Sequence, residues 1–252
     1  MENTDVSSWP ENHLNAYITN RLVNERNADV MNKTTNTIFT INAYDANADS
    51  NTGSFKYTLS DDMDVGKTGN MKKILKIWVG ARVILTDNLD VEDKLCNGSE
   101  GTVEYIHIRT TVSSAKHGGT IYVKFDDENS GNQRKSNSLP DALRRCVPIT
   151  VIQKKFTYVP PGGKKRYDNA IQCERKQFPL VLAHAITIHK TQGSTQQCMT
   201  VNFDDSSRVP NRKVPRNLLK GSAYTALSRV PKRNAIRVQN FRTISNQTGK
   251  FK

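Results

Sequence analysis

An α/β fold, with a helix-covered parallel sheet interrupted by a small β-barrel, follows from three observations on this sequence. Near the start, a short strand-like run leads into a capped helix. The middle breaks into short strands separated by Gly and Asn turns. From about residue 178, helical and strand patterns alternate again. Strands that alternate with helices pack as a parallel sheet, whereas many short strands joined by turns form sandwiches or barrels.

Ala16-Tyr17-Ile18 is the first strand. Asn20 can cap a helix running to about Met31, with Leu22, Val23 and Val30 on its apolar side. Residues 46–54 are polar and turn-rich and read as a loop. The β-rich middle comprises Ile74 to Leu85 interrupted by Gly80, then Asn97-Gly98 as a turn, Thr102 to Ile108, Ile121 to Phe125, and strands within Val147 to Tyr158. Residues 159–177 read as an exposed basic linker or hairpin tip. Pro179 suits the first turn of a helix through about Gln192, with Gly193 in the left-handed position after it. Cys198 to Phe203 is a strand, Leu218 to Arg229 a helix stopped by Pro231, and Ala235 to Val238 a final strand.

Charge is strongly segregated. Residues 1–150 hold 17 Lys+Arg against 20 Asp+Glu, while residues 151–252 hold 20 against 4, so the whole excess of +13 comes from the C-terminal part. Such a surface attracts polyanions by displacing their counterions. No stretch approaches the roughly 18 apolar residues of a spanning helix, so no membrane partner is expected, and residues 1–5 lack the basic and apolar runs of a secretory signal, so export is not expected. Cys96, Cys146, Cys173 and Cys198 fit no metal-binding spacing and are expected as reduced thiols in a nuclear or other intracellular compartment.

Two segments carry the chemistry. One is Phe178-Pro-Leu-Val-Leu-Ala-His-Ala-Ile-Thr-Ile-His-Lys-Thr-Gln-Gly-Ser-Thr195, and the other is Ala223-Tyr-Thr-Ala-Leu-Ser-Arg-Val230. Lys190 and Thr191 offer charge and hydroxyl groups that suit phosphate, and Gly193 lets backbone approach a ligand closely. Together the segments resemble motifs V and VI of superfamily-one helicases of the Pif and RecD-like branch. Three shorter pieces agree in the same chain order: Tyr17-Ile-Thr-Asn20 with Asn24, Tyr57-Thr-Leu-Ser-Asp61, and Gly80 to Asp90 with Leu95-Cys-Asn-Gly98. The resemblance spans about residues 15–245. His184, Thr225 and Pro231 depart mildly from the family pattern.

The resemblance implies a RecA-like (P-loop NTPase-like) second motor lobe with an inserted SH3-like barrel. Residues 1–95 would form the first part of the lobe, 96–177 the insertion and basic linker, 178–245 the remainder, and 246–252 a tail. It implies contact with single-stranded DNA through Thr19, Asn20, His189, Lys190 and Thr191, and coupling to nucleotide through Gln192, Gly193 and Thr195. Arg229 would be the catalytic arginine finger of a 5′-to-3′ DNA helicase; the alternative is a helix-terminal arginine that complements the macrodipole. Trp78, Tyr105, Tyr122 and Phe125 are either core aromatics or base-stacking platforms.

Val65-Gly66-Lys67-Thr68 resembles the end of a phosphate loop, but Asp61 stands where the loop needs glycine. With neither a phosphate loop nor an Asp-Glu magnesium strand in the sequence, ATP and Mg2+ are expected only when an N-terminal first lobe is supplied in cis or trans. The alternative expectation is a degenerate module that binds single-stranded nucleic acid without ATP hydrolysis.

Overall fold

The computed structural model describes residue 9 and residues 13–47, 68–159, 170–203 and 221–240. They divide into two compact units, with the chain leaving the first at 34/35 and returning at 182/183. The described residues between 35 and 95 thus pack with the β-rich unit, which is wider on both sides than the expected 96–177 insertion. Tyr57–Asp61, Val65–Lys67, Leu218–Lys220 and the basic positions Arg208, Arg212, Lys213 and Arg216 lie outside the described residues.

The first unit is built on four parallel strands: β1 (Leu14–Tyr17), β13 (Ala185–Thr187), β14 (Met199–Asn202) and β15 (Ile236–Gln239), in the order β13-β1-β14-β15. Leu14, Ala16, Ala185, Ile186, Met199, Val201 and Ile236 bury their side chains here. Helix α1 (Asn20–Lys33) follows β1. Its cap is Thr19, one residue before the expected Asn20, because Thr19 has extended backbone (φ −118°, ψ 147°) and its hydroxyl accepts the Leu22 N–H. Lys33 in the last turn complements the helix dipole.

Asn27 fixes α1 to the sheet edge. Its amide Nδ2 donates to the Ala185 carbonyl and its Oδ1 accepts the Ala185 N–H, each at 3.0 Å. The buried side chain thereby stands in for the strand that would otherwise continue past β13. Asn27→Ala strands both backbone groups and is expected to cost about 1–3 kcal/mol, read as a lower urea midpoint for the first unit.

The helix expected over 179–192 is not formed. The segment makes β12 (Leu180–Leu182), β13 and a 3-10 turn, Ile188–Thr191. The apolar positions run almost continuously through 178–188 instead of recurring every three or four residues. Strands buried on both faces read this way, and Val181, Ile186 and Thr187 are β-branched. The helix expected over Leu218–Arg229 is shorter as described: α2 covers Ser222–Leu227 after Gly221 in the left-handed region (φ +91°).

The second unit is all β among the longer elements. A five-stranded antiparallel sheet runs β12-β5-β6-β8-β9, with β5 at Arg82–Leu85, β6 at Glu100–His107, β8 at Thr120–Phe125 and β9 at Val147–Thr150. β2 (Phe39–Asn42) lies between β4 (Ile74–Ile77) and β7 (Val112–Ser114). β11 (Ile171–Gln177) lies between β10 (Ile152–Tyr158) and β3 (Tyr44–Asn47). Val83, Leu95, Val103, Ile121, Val123, Val147, Ile149 and Phe178 form its core.

Residues 171–177 are therefore strand and not exposed linker. Their inward positions include Cys173, Arg175 and Gln177, whose polarity hid the two-residue period. Arg175 is 1% exposed. Its Nε and Nη2 donate to the two carboxylate oxygens of Asp45 at 2.6 and 2.8 Å, and Nη1 donates to the Met71 carbonyl at 3.0 Å. Gln177 donates to the Ile41 and Lys72 carbonyls and accepts the Phe178 N–H, so both ends of its amide are satisfied.

Candidate nucleic-acid interface at the carboxyl ends of the parallel strands

In open parallel sheets, ligands bind beyond the carboxyl ends of the strands. Tyr17 and Thr187 are paired across β1 and β13. The chain then leaves β1 through Thr19 and Asn20 and leaves β13 through His189 and Lys190. Two of the segments selected from the sequence thus emerge side by side at one end of the sheet. Asn20, His189 and Lys190 are exposed, while Thr19 is half-buried with its hydroxyl engaged as the helix cap. The start of α1 is the positive end of the helix dipole, which favours anions.

Thr191 differs from expectation. It is fully buried, and its hydroxyl donates to the Ile188 carbonyl at 2.7 Å. A single 3-10 turn places it inward, so it builds the turn that presents His189 and Lys190 and does not face solvent. Gln192 and Thr195 are exposed. Gly193 has φ +87° with open space where a Cβ would stand, so the left-handed stop is present although the helix before it is not.

Arg229 lies just beyond α2 and is tied to the same turn. The Gln196 N–H donates to the Arg229 carbonyl at 2.8 Å. The guanidinium donates from Nε to the Thr225 carbonyl at 3.0 Å, from Nη2 to the Ser228 hydroxyl at 2.8 Å, and from Nη1 to the Ser194 carbonyl at 3.5 Å. Among the described residues no carboxylate pairs with it. Its positive charge is half-exposed. Ser194, Thr225 and Ser228 carry this arrangement, and none stands out in sequence except by lying within the two motif segments. Burial pushes the nearby Tyr17 phenol above its ordinary range, with the charge of Arg26 pulling the other way.

The aromatic candidates separate. Trp78 and Phe125 are core. Tyr105 is 46% exposed, with its ring centroid 6.0 Å from that of Tyr122 on the neighbouring strand. Thr68, the described end of the apparent phosphate loop, is buried with its hydroxyl donating to the Met71 carbonyl. Among the described residues, no cluster of three His, Cys, Asp or Glu side chains is arranged to hold a metal ion, and no helix is long and apolar enough to cross a membrane.

No family model matches the chain. It is 31% identical over 172 residues to the ATP-dependent DNA helicase PIF1 of Danio rerio, a match covering 68% of this chain and 20% of the relative. This chain is related to the Pif1 DNA helicases. The human PIF1 protein is 29% identical over 172 residues, again 20% of its length. The chain therefore spans about one fifth of the Pif1 relatives it matches. Among solved structures, the Pif1 helicase from Candida albicans superposes with TM-score 0.57 at 21% identity, covering 95% of this chain and 47% of that one. The Pif1 helicase from Bacteroides in complex with ADP-AlF3 and ssDNA gives TM-score 0.55 at 21% identity, covering 96% and 43%. The fold is accordingly the RecA-like one of the Pif1 helicases.

Proposed function

We propose that this chain is the second motor lobe of a Pif1-type ATP-dependent 5′-to-3′ DNA helicase. It grips single-stranded DNA at the carboxyl ends of β1 and β13 and supplies Arg229 to ATP and Mg2+ held by a first lobe. One observation carries the reading: the start of α1, the His189–Lys190 turn and the Arg229 guanidinium are joined at one end of one parallel sheet. Lys190 and the α1 N–H groups suit backbone phosphate; His189 and Asn20 add polar contacts. Thr191, bonded inward, shapes the turn. Gln192, Gly193 and Thr195 lie between the turn and Arg229, where a shift at one is passed to the other. In this reading the chemistry the lobe contributes is charge stabilisation by Arg229. A Bacteroides Pif1 solved with single-stranded DNA bound supports the proposed partner.

The test is anisotropy of a labelled oligothymidylate titrated with the chain at several salt concentrations. Binding is expected to weaken linearly on a log–log plot, with a slope of about −0.7 for each phosphate contacted. Lys190→Ala is expected to weaken binding and to remove about 0.7 from that slope. Salt-independent binding, or no binding in low salt, overturns the reading.

A further inference from the structure

The Arg229 guanidinium rests on main-chain carbonyls and on one side-chain hydroxyl. Ser228 Oγ accepts from Nη2 at 2.8 Å and from Nε at 3.3 Å, while donating its own proton to the Thr225 carbonyl at 3.2 Å. The hydroxyl is therefore oriented by the end of α2, with its lone pairs turned to the arginine. Nη2 makes its contact with that oxygen and with no other described acceptor. Ser228 is exposed, so its hydroxyl contributes little to packing. Its contacts serve the guanidinium.

A second set of bonds runs from the guanidinium to the strand-gripping turn. Nη1 reaches the Ser194 carbonyl, and the Ser194 N–H and hydroxyl both donate to the Thr191 carbonyl, at 3.1 and 3.0 Å. Thr191 closes the turn that carries His189 and Lys190 through its bond to Ile188. Ser194 thus links that turn to the guanidinium by hydrogen bonds.

We propose that Ser228 is a positioning residue for Arg229. Its hydroxyl holds the guanidinium docked on α2 and on the Ser194 carbonyl, and nucleic acid engaged at His189 and Lys190 changes that docking. The inference rests on the function proposed above for the meaning of the docked state, but the docking itself is measured separately. Arginine has many rotamers, and a neighbouring hydroxyl that accepts two of its N–H groups removes most of that freedom before any ligand arrives.

The experiment follows the Arg229 Nε–H signal in ¹H–¹⁵N spectra of the full chain, assigned by its disappearance in Arg229→Lys. Removing a charge-assisted acceptor in Ser228→Ala is expected to speed Nε–H exchange by roughly tenfold, and Ser228→Thr to restore slow exchange. Melting temperatures of all variants, taken on the same samples, separate this from unfolding. Adding oligothymidylate to the wild-type chain is expected to shift the signal. Equal exchange in wild type and Ser228→Ala, with equal melting temperatures, overturns the positioning role. A stationary Arg229 signal, with binding established by anisotropy, overturns the link to the turn. Absence of oligonucleotide binding overturns the proposed function, and the exchange comparison alone then decides the role of Ser228.

Discussion

Arg229→Ala, mixed with a Pif1 first lobe in trans and single-stranded DNA, is expected to lower the kcat of ATP hydrolysis by about 10³–10⁵-fold relative to the wild-type chain. The expectation follows from a guanidinium that has no carboxylate partner among the described residues and is held at a helix end beside the His189–Lys190 turn. A group that acts on charge developing in the transition state lowers kcat far more than it raises KM. Arg229→Lys is expected to recover little, because an ammonium lacks the planar fork that meets two phosphate oxygens at once. Some structural cost accompanies either change, since the bonds to Thr225, Ser194 and Ser228 go as well. The side chain is half-exposed, so that cost is about 1 kcal/mol or less, visible as a small change in melting temperature. A loss below tenfold, in a mixture where the wild-type chain demonstrably stimulates hydrolysis, would exclude Arg229 as the finger. No stimulation by the wild-type chain would leave a binding module as the surviving reading.

The second large effect concerns the fold of the β-rich unit. Asp45→Ala leaves the Arg175 guanidinium buried with, among the described residues, one hydrogen-bond partner, the Met71 carbonyl. An uncompensated buried charge of this kind costs about 3–5 kcal/mol, a large share of the stability of a domain this size. Trp78, buried in the same unit, reports the transition by fluorescence during urea unfolding. Replacing both partners, as in Asp45→Leu with Arg175→Met, is expected to cost much less, since the apolar pair carries no desolvation penalty. If Asp45→Ala alone costs under about 1 kcal/mol, water reaches Arg175 and the pair is not buried in the sense that sets this magnitude.

Strand character was legible where apolar and polar residues alternate, as in Met199 to Phe203. The element type at 179–192 was not, because a buried strand and a buried helix share a continuous apolar run and Pro179 suits a helix start. β11 was hidden for the opposite reason. Its alternation is real, but Arg175 and Gln177 occupy inward positions, and hydropathy scores them as surface. Only the partners, Asp45 and the Ile41 and Lys72 carbonyls, make those positions habitable, and these lie more than a hundred residues away in sequence. At the site, residue types suggested which segments meet, but not the direction of each side chain. Thr191 has the chemistry of a phosphate contact, yet a 3-10 turn aims it inward. Ser228 was visible only as a member of its motif segment, and its hydroxyl bonds depend on a rotamer that no pattern encodes.

The excursion of the chain at 34/35 and its return at 182/183 set the order in which the molecule is made. Asn27 and Ala185, which clamp one edge of the parallel sheet, are 158 positions apart. On the ribosome, β1 emerges first and lies between two strands not yet synthesised. At about 5–20 residues per second, it waits on the order of ten to thirty seconds for both neighbours. Throughout that interval both of its hydrogen-bonding edges are open. The β-rich unit is contiguous in sequence and is synthesised in full before β13. The unit with the parallel sheet is thus the late-assembling, high-contact-order half of the chain, and the half most exposed to mispairing and chaperone capture during biosynthesis.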